Sequence, residues 1–227
     1  MKELNGNDFK ICYIDKNEDI LLPKTERKRF CIAKSDYDDI KRIQLLKKKG
    51  YRFLDRILRM EIATQGECLW EEKKRLIQFP AKCMEIIDDS VYEIACAAYD
   101  KDRRFHLQEE YNQEQANAVI KAYIEECKRN SIPAITCSYN ESILGVTVLK
   151  DNMDGTMDNI LGAVKPGLQG KMAAYGLYIQ TLMWMKGQGC KRYYGNVSSS
   201  NIASLNLHIA LGGKIVETYE EYILEEN

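Results

Sequence analysis

The chain has 227 residues, of which 33 are lysine or arginine and 34 are aspartate or glutamate, and 45% are hydrophobic. This composition is that of a globular protein with room for a proper core, arranged as one large domain or two modest ones. A net charge of −1 excludes a general attraction to nucleic acid or an anionic membrane, and the short basic run at residues 24–29 indicates a solvated loop.

The first residues lack the apolar core of a signal peptide, and no apolar run reaches the length of a membrane span. We therefore expect a cytoplasmic protein. The eight cysteines form no CxxC pair, and only two histidines, His106 and His208, are present. The cysteines are expected to be reduced and buried, and no metal site is expected.

The first part of the chain has an α/β pattern. Apolar runs predict strands at residues 9–14 and 30–33, and the next stretch predicts an amphipathic helix that Ser35 or Asp36 caps and Gly50 ends. Residues 51–64 predict a further strand, and residues 65–82 a polar connection. We assign residues 1–82 to a small N-terminal α/β subdomain and residues 83–227 to a second domain.

The second part begins with helices predicted at residues 88–99 and 112–130, joined by a loop dense in arginine, histidine and tyrosine. Strands follow at 134–140 and 142–151, and an Asp154-Gly155 turn leads into an apolar strand that ends before Lys165. A nearly all-apolar helix is predicted at 172–186. A strand at 190–197, a helix at 200–212 and a final strand complete the chain.

The loop Gln169-Gly170-Lys171 lies between a strand and the apolar helix, and its composition is typical of a site that binds an anion such as phosphate. The first turn of a helix has unpaired N–H groups at a positive dipole end, and glycines let that backbone approach a ligand closely. Two nucleotide motifs are excluded. A P-loop requires Ser or Thr where Met172 follows Lys171, and no GxGxxG is present. A tight turn that binds nothing is the alternative.

In the helix at 200–212, Asn201, Ser204 and His208 recur at helical spacing and share one face. The core-facing stripe is predicted to consist of three apolar residues: Ile202, Leu205 and Ile209. A histidine on a polar face, near a helix start that Ser199, Ser200 or Asn201 caps, is placed for a ligand. A surface histidine without a role is the alternative.

Together these residues resemble the GCN5-related N-acetyltransferase (GNAT) superfamily over roughly residues 83–227. The loop Gln169-Gly170-Lys171-Met172-Ala173-Ala174 after the strand "NILGAVKP" resembles the family's Gln/Arg-x-x-Gly-x-Gly/Ala signature, and "Asn201…His208…Gly212-Gly213" resembles its last helix and strand. Met172 stands at the first glycine of the signature, a change expected to narrow backbone access to a pyrophosphate. The resemblance implies a mixed, mostly antiparallel central sheet flanked by helices, with acetyl-CoA as co-substrate.

The resemblance also implies a role for each part of this site. The backbone from Gln169 to Ala174 would hold the CoA pyrophosphate. The pantetheine arm would pair with the backbone of Gly162, Ala163 and Val164, which would also help stabilise the oxyanion, and Asn201 would hydrogen-bond the same arm. A tyrosine of the family's last helix protonates the departing thiolate, and His208 stands at that position as the candidate general acid. No residue is assigned as the base.

The acceptor is suggested by the segment "AAYDKDRRFHLQEEY" and by the end of the chain, which resemble nucleotide-sugar N-acetyltransferases of the TDP-fucosamine type. This implies the amine of a nucleotide-linked amino sugar as substrate. Arg103 or Arg104 would pair with its diphosphate, and His106 or Tyr111 would contact sugar or base. Exposed arginines and packed aromatic residues are the alternative.

Other functions are compatible with the same residues. The acceptor amine could belong to a peptide, a polyamine or an antibiotic, or the chain could be a non-catalytic acyl-CoA-binding module. Acidic residues in the acceptor cleft would favour a cationic amine, and arginines there would favour a diphosphate. By analogy the family allows a homodimer, and neither nucleic acid nor membrane is expected as a partner.

Overall fold

The computed structural model of the protein describes residues 2–5, 10–18, 29–77, 79–84, 89–99, 113–130, 132–140, 142–168 and 172–226. Within these residues one sheet contains ten strands. Their bounds are β1 Lys2–Asn5, β2 Lys10–Ile14, β3 Arg29–Asp36, β4 Arg52–Ala63, β5 Ala81–Met84, β6 Ala134–Tyr139, β7 Ser142–Asp151, β8 Thr156–Val164, β9 Arg192–Ser198 and β10 Lys214–Glu226.

The helices lie on both faces of the sheet. They are α1 Ile40–Lys48, α2 Asp89–Ala98, α3 Gln113–Arg129, α4 Met172–Gly187 and α5 Ile202–Ala210, with a 3₁₀ helix at Glu71–Leu76. The cap predicted for α1 was wrong. Asp39 caps it and accepts a hydrogen bond from the Arg42 backbone at 3.0 Å, whereas Ser35 and Asp36 still belong to β3.

The strand order is β1-β2-β3-β10-β4-β9-β8-β7-β6-β5. The β2–β3 and β8–β9 pairs are parallel and the other neighbours are antiparallel. The expected mixed, mostly antiparallel sheet flanked by helices is therefore confirmed. Because β4 lies between β10 and β9, strands from the first 82 residues and from the rest of the chain share this sheet. A boundary at residue 82 stays a prediction.

Two short strands and the 3₁₀ helix were not predicted. β1 and β5 have four residues each, too few to show a clear alternation of apolar and polar side chains. β5 pairs with β6 from Ala81↔Cys137 to Met84↔Ala134, at the edge of the sheet. Such strands form because a neighbouring strand supplies hydrogen-bonding partners for their backbone. The local sequence does not show whether that neighbour is present.

The core has layers on both faces of the sheet. On one face α4 is buried through residues such as Leu177, Ile179 and Leu182, as its apolar sequence predicts. On the other face α2 and α3 pack through Val91 and Ile120 against β7 and β8. No helix in the described part of the chain combines the length and apolarity that a bilayer crossing requires.

β8 and β9 separate part-way along their length. They pair in parallel from Thr156↔Arg192 to Asn159↔Gly195, whereas β8 stays paired with β7 as far as Val164. The β7–β8 ladder also shifts register, so that Ile160 is an extra residue on β8. A bulge of this kind bends its strand. The consequence is a gap inside the sheet between residues 160–164 of β8 and the end of β9.

Candidate active site

The gap between β8 and β9 contains a small cavity of about 60 Å³, which we call the inner cavity. Side chains from several elements line it: Tyr99, Asn159, Tyr178, Tyr193, Asn201, Ser204 and His208. Four of these, Asn159, Tyr178, Tyr193 and His208, form a connected polar network.

His208 is 1% exposed, between α5 and β9. Its Nδ1 lies 2.8 Å from the Ser204 carbonyl oxygen and its Nε2 lies 3.0 Å from the Tyr193 hydroxyl. Because a carbonyl can only accept, the ring proton is on Nδ1, and Nε2 accepts from Tyr193. Burial lowers the pKa of His208 to about 4. The imidazole is therefore neutral at pH 7.

The network continues from Tyr193 to β8 and α4. The Asn159 side-chain amide donates to the Tyr193 hydroxyl at 2.9 Å and to the Tyr178 hydroxyl at 3.2 Å. Burial raises the pKa of Tyr193 well above its usual range, so its hydroxyl keeps its proton. Side chains from four elements are thus linked by hydrogen bonds at the point where the strands part.

Glycines on both separating strands make room for this network. A Cβ at Gly195 would lie 2.8 Å from His208 Nε2 and 2.9 Å from the Tyr193 hydroxyl. A Cβ at Gly162 would clash with the Tyr178 hydroxyl. Larger residues at either position would fill the space into which these polar atoms point.

The predicted faces of α5 were wrong. Ile202 and Ile209, predicted to face the core, are 59% and 55% exposed, whereas His208, Leu207 and Leu211 are buried. The buried face is therefore the one that carries the histidine. The predicted N-cap is confirmed, since Asn201 Oδ1 accepts from the Ser204 backbone at 3.0 Å.

The backbone predicted to meet the pantetheine arm lies on the rim of the gap. Ala163 and Val164 are paired with β7 through Val146 and Gly145. Gly162 is also paired with β7, opposite Thr147, but its N–H donates to the Tyr99 hydroxyl at 3.1 Å and its carbonyl accepts from the same hydroxyl at 2.9 Å. A tyrosine side chain thus takes the hydrogen-bonding position that β9 has left.

The strand-to-helix connection that suggested an anion site is present. β8 ends at Val164, α4 begins at Met172, and Gly167 between them has a φ of +84°, which favours glycine. Ala173 is buried, and Met172 and Ala174 are half-buried. Several predicted residues lie outside the described part of the chain: Gln169, Gly170, Lys171, Arg103, Arg104, His106 and Tyr111.

A larger cavity of about 630 Å³ opens on the other face of the sheet, beside α3. This outer cleft meets the inner cavity at Asn159, Ile160 and Asn196. The described residues that line it include acids and bases: Asp15, Glu18, Asp158 and Glu221, with Lys34, Arg59 and Lys150. Arg59 is paired with Asp158 at 2.7 Å and lies over the Tyr194 ring.

Sequence reasoning missed Tyr99, Asn159, Tyr178 and Tyr193. Each lies in or beside an apolar segment of the sequence. In such a segment a tyrosine is usually assigned to the hydrophobic core, and a single asparagine gives no sign of a site. A weak signal was present in the spacing Tyr193-x-Gly195 and Asn159-x-x-Gly162. A glycine inside a strand often marks a place where another group approaches the backbone closely.

Comparison with known proteins was made at two levels. A sequence model of the acetyltransferase (GNAT) family matches residues 89–212, more than half of the chain. No curated protein sequence matches the chain.

Solved structures with the same fold include a GCN5-related N-acetyltransferase from Sphaerobacter thermophilus, at 13% identity and a TM-score of 0.59, covering 87% of this chain and 60% of that one. A tandem GNAT protein from the clavulanic acid biosynthesis pathway has 11% identity and a TM-score of 0.55. The match covers 88% of this chain and 65% of that one. A GCN5-related glucosamine N-acetyltransferase region of a fungal multi-domain β-N-acetylglucosaminidase has 11% identity and a TM-score of 0.56. The match covers 86% of this chain and 25% of that one.

At these identities the similarity concerns the fold. The chain spans about 60% of the length of the Sphaerobacter structure and 65% of the tandem protein. The family model, the gap between β8 and β9 and the strand-to-helix connection at α4 agree with one another. The chain belongs to the acetyltransferase (GNAT) family, whose members use acetyl-CoA.

Proposed function

We propose that the protein is an acetyl-CoA-dependent N-acetyltransferase that acetylates a primary amine. The main support is the gap between β8 and β9, where hydrogen-bonding backbone meets the network of Asn159, Tyr178, Tyr193 and His208. The residues suit an extended arm that carries amides, because the pairing of β8 with β9 ends at Asn159↔Gly195 and residues 160–164 of β8 have no β9 partner. Acetyl-CoA supplies an activated acetyl group, and the chain supplies position and proton transfer.

The CoA pyrophosphate is placed at the first turn of α4, whose N–H groups have no partner within the helix. This turn begins at Met172, and the loop before it carries Gln169, Gly170 and Lys171. We place the arm along residues 162–164 of β8, beside the inner cavity that Gly162 and Asn201 both line. The amine is placed in the outer cleft, which meets the inner cavity at Asn159.

The reaction forms a carbon–nitrogen bond, breaks a carbon–sulfur bond, and moves one proton from nitrogen to sulfur. His208 was the candidate acid, but its Nε2 carries no proton at neutral pH and accepts from Tyr193. We therefore place the pair in the proton path together. The Tyr193 hydroxyl, whose proton points to His208 Nε2 at rest, would turn to release that proton to the sulfur as the Tyr193–His208 pair takes up the proton that the amine loses, and the Asn159 amide would keep holding the hydroxyl.

The proposed acceptor is the amine of a nucleotide-linked amino sugar, on the basis of the resemblance around Arg103, Arg104, His106 and Tyr111. A second candidate is a cationic amine such as a polyamine. It is favoured by the cleft carboxylates other than Asp158, which pairs with Arg59: these are Asp15, Glu18 and Glu221. Lys34, Arg59 and Lys150 in the same cleft favour an acceptor that also carries negative charge.

The test begins with calorimetric titration of acetyl-CoA into wild type, Met172→Gly and His208→Ala. Micromolar binding by the wild type is expected, retained in His208→Ala, and as tight or tighter in Met172→Gly because the glycine opens backbone to the pyrophosphate. Thiol release is then followed with UDP-linked and TDP-linked amino sugars, glucosamine and spermidine. We expect His208→Ala to lower the rate about ten- to a thousandfold.

Each result decides a separate part of the proposal. Binding without thiol release from any amine would leave an acyl-CoA-binding module. Release with spermidine but not with the sugar nucleotides would replace the sugar by a cationic acceptor. The absence of binding by both wild type and Met172→Gly would overturn the proposed function.

A further inference from the structure

The part of β8 that borders the gap behaves as an edge strand inside the protein. Its parallel pairing with β9 ends at Asn159↔Gly195, while its antiparallel pairing with β7 continues to Val164. In an antiparallel ladder alternate residues direct their N–H and C=O groups to opposite sides. The groups directed away from β7 therefore need partners, because unpaired backbone groups are costly when buried.

Tyrosine hydroxyls provide these partners. The Tyr99 hydroxyl accepts the Gly162 N–H at 3.1 Å and donates to the Gly162 carbonyl at 2.9 Å. Two residues earlier, the Tyr123 hydroxyl donates to the Ile160 carbonyl at 3.4 Å. The Tyr99 hydroxyl thus exchanges both bonds with one residue, as a residue of a neighbouring strand would.

An amide presents the same pair of groups, one N–H and one C=O. The pantetheine arm of CoA carries two amides. An arm that pairs with β8 at Gly162 and the hydroxyl of Tyr99 would need the same two backbone atoms at the same time. The two arrangements exclude each other.

Tyr99 is also placed so that its side chain can leave while its backbone stays. Its N–H still donates to the Ala95 carbonyl at 2.9 Å, which continues the hydrogen bonding of α2. α2 itself is anchored through Val91 and Ala95, both fully buried. The Tyr99 side chain is only half-buried at the end of this helix. A movement of the Tyr99 side chain alone would therefore release Gly162 without unwinding α2.

We propose that Tyr99 is a removable plug of the acetyl-CoA site: its hydroxyl holds Gly162 in the free protein and must be displaced by the pantetheine arm. This inference rests on the proposed function. Its consequence is that the wild type binds CoA more weakly than its contacts allow, since the binding-competent arrangement is a minor one. Removing the hydroxyl removes the competitor.

The experiment is calorimetric titration of CoA, and of 3′-phospho-ADP as the fragment without the arm, into wild type and Tyr99→Phe. Tyr37→Phe is the matched control, because it removes the same atom from a tyrosine that is 56% exposed. Tyr99→Phe should bind CoA roughly five- to fiftyfold more tightly, the effect of two net hydrogen bonds. Binding of 3′-phospho-ADP should not change, and Tyr37→Phe should match the wild type for both ligands.

Other outcomes are decisive as well. Equal or weaker CoA binding by Tyr99→Phe, with 3′-phospho-ADP bound normally, would contradict the proposed role of Tyr99. It would not affect the proposal that CoA binds at this site. If no variant binds either ligand, the proposed function fails and the plug fails with it. Urea unfolding of each variant shows whether Tyr99→Phe is folded, and Tyr99→Leu, which also lacks the hydroxyl, should show the same gain in affinity.

Discussion

At the scale of single residues, burial decides the chemistry of His208. The side chain is 1% exposed, with Nδ1 bonded to the Ser204 carbonyl and Nε2 to the Tyr193 hydroxyl. An imidazolium in this place would lose the solvation that water gives it, and its Nε2 could no longer accept the hydrogen bond from the Tyr193 hydroxyl. The neutral form is therefore the stable one, which is why Tyr193 takes the proton-donating role in the proposed mechanism.

This burial makes stability depend on pH. A histidine in the unfolded chain has a pKa of about 6.5, whereas burial lowers the pKa of folded His208 to about 4. Between these values the unfolded state binds more protons, so the contribution of His208 is complete above pH 6.5 and declines as the pH falls toward 4. From pH 7.5 to pH 5 the loss from this residue should be about 2 kcal/mol.

Urea unfolding at these two pH values measures the loss. The control is His208→Gln, which cannot titrate. It should be less stable than the wild type at pH 7.5 and should show a smaller decrease between the two values. If both proteins lost the same free energy of unfolding, His208 would not be held neutral by burial.

At the scale of elements, the first turn of α5 brings a stabilising contact and a proposed ligand contact to one side chain. Asn201 caps the helix through its Oδ1 and lines the inner cavity at the same time. Its carbonyl oxygen and its amide nitrogen have different partners available to them. Substitutions can therefore separate the two functions.

Asn201→Ala should lower the free energy of unfolding by about 1 kcal/mol, the usual cost of losing an N-cap, whereas Asn201→Asp should keep it. Both should bind CoA more weakly if the amide nitrogen contacts the arm, since aspartate has no N–H to donate. Asn206→Ala, at an exposed position inside the same helix, is the control: it should leave CoA binding unchanged and raise the free energy of unfolding slightly, by up to about 0.7 kcal/mol, rather than lower it. Chemical unfolding and CoA titration are the measurements. Normal CoA binding by Asn201→Asp would remove Asn201 from the proposed site.

At the scale of the whole molecule, the position of β4 ties the beginning of the chain to its end. β4 pairs with β10 on one side and with β9 on the other, and Ile57, Met60 and Ile62 of β4 are buried. An ion pair between Arg56 and Glu220, at 2.6 Å, also joins β4 to β10. Removal of the first 82 residues would expose the partner edges of both β9 and β10.

We therefore expect the fragment 83–227 to unfold without a cooperative transition, because β9 becomes an unprotected edge and β10 loses both neighbouring strands, β3 and β4. Thermal unfolding followed by circular dichroism tests this against the full chain, which should show one transition. A cooperative transition in the fragment, with retained CoA binding, would instead support an independent domain starting at residue 83.

The sequence by itself determined most of the longer elements and several local motifs. The strand before Lys165, the connection at Gly167, the apolar helix from Met172 and the cap at Asn201 depend on residues close together in the chain. Their patterns follow from backbone geometry, hydrogen bonding and burial over a few turns, so they can be read without the fold. The resemblance to the acetyltransferase family depended on these same segments.

Only the tertiary structure decided which side chains meet. The separation of β8 from β9 and the bulge at Ile160 bring Tyr99, Tyr178, Tyr193 and His208, which are far apart in sequence, to one gap. The buried face of α5 was likewise set by its neighbours, since a short helix with apolar residues on two sides can bury either. The physical reason is that register and packing depend on contacts between distant segments, and these contacts also set the pKa of His208.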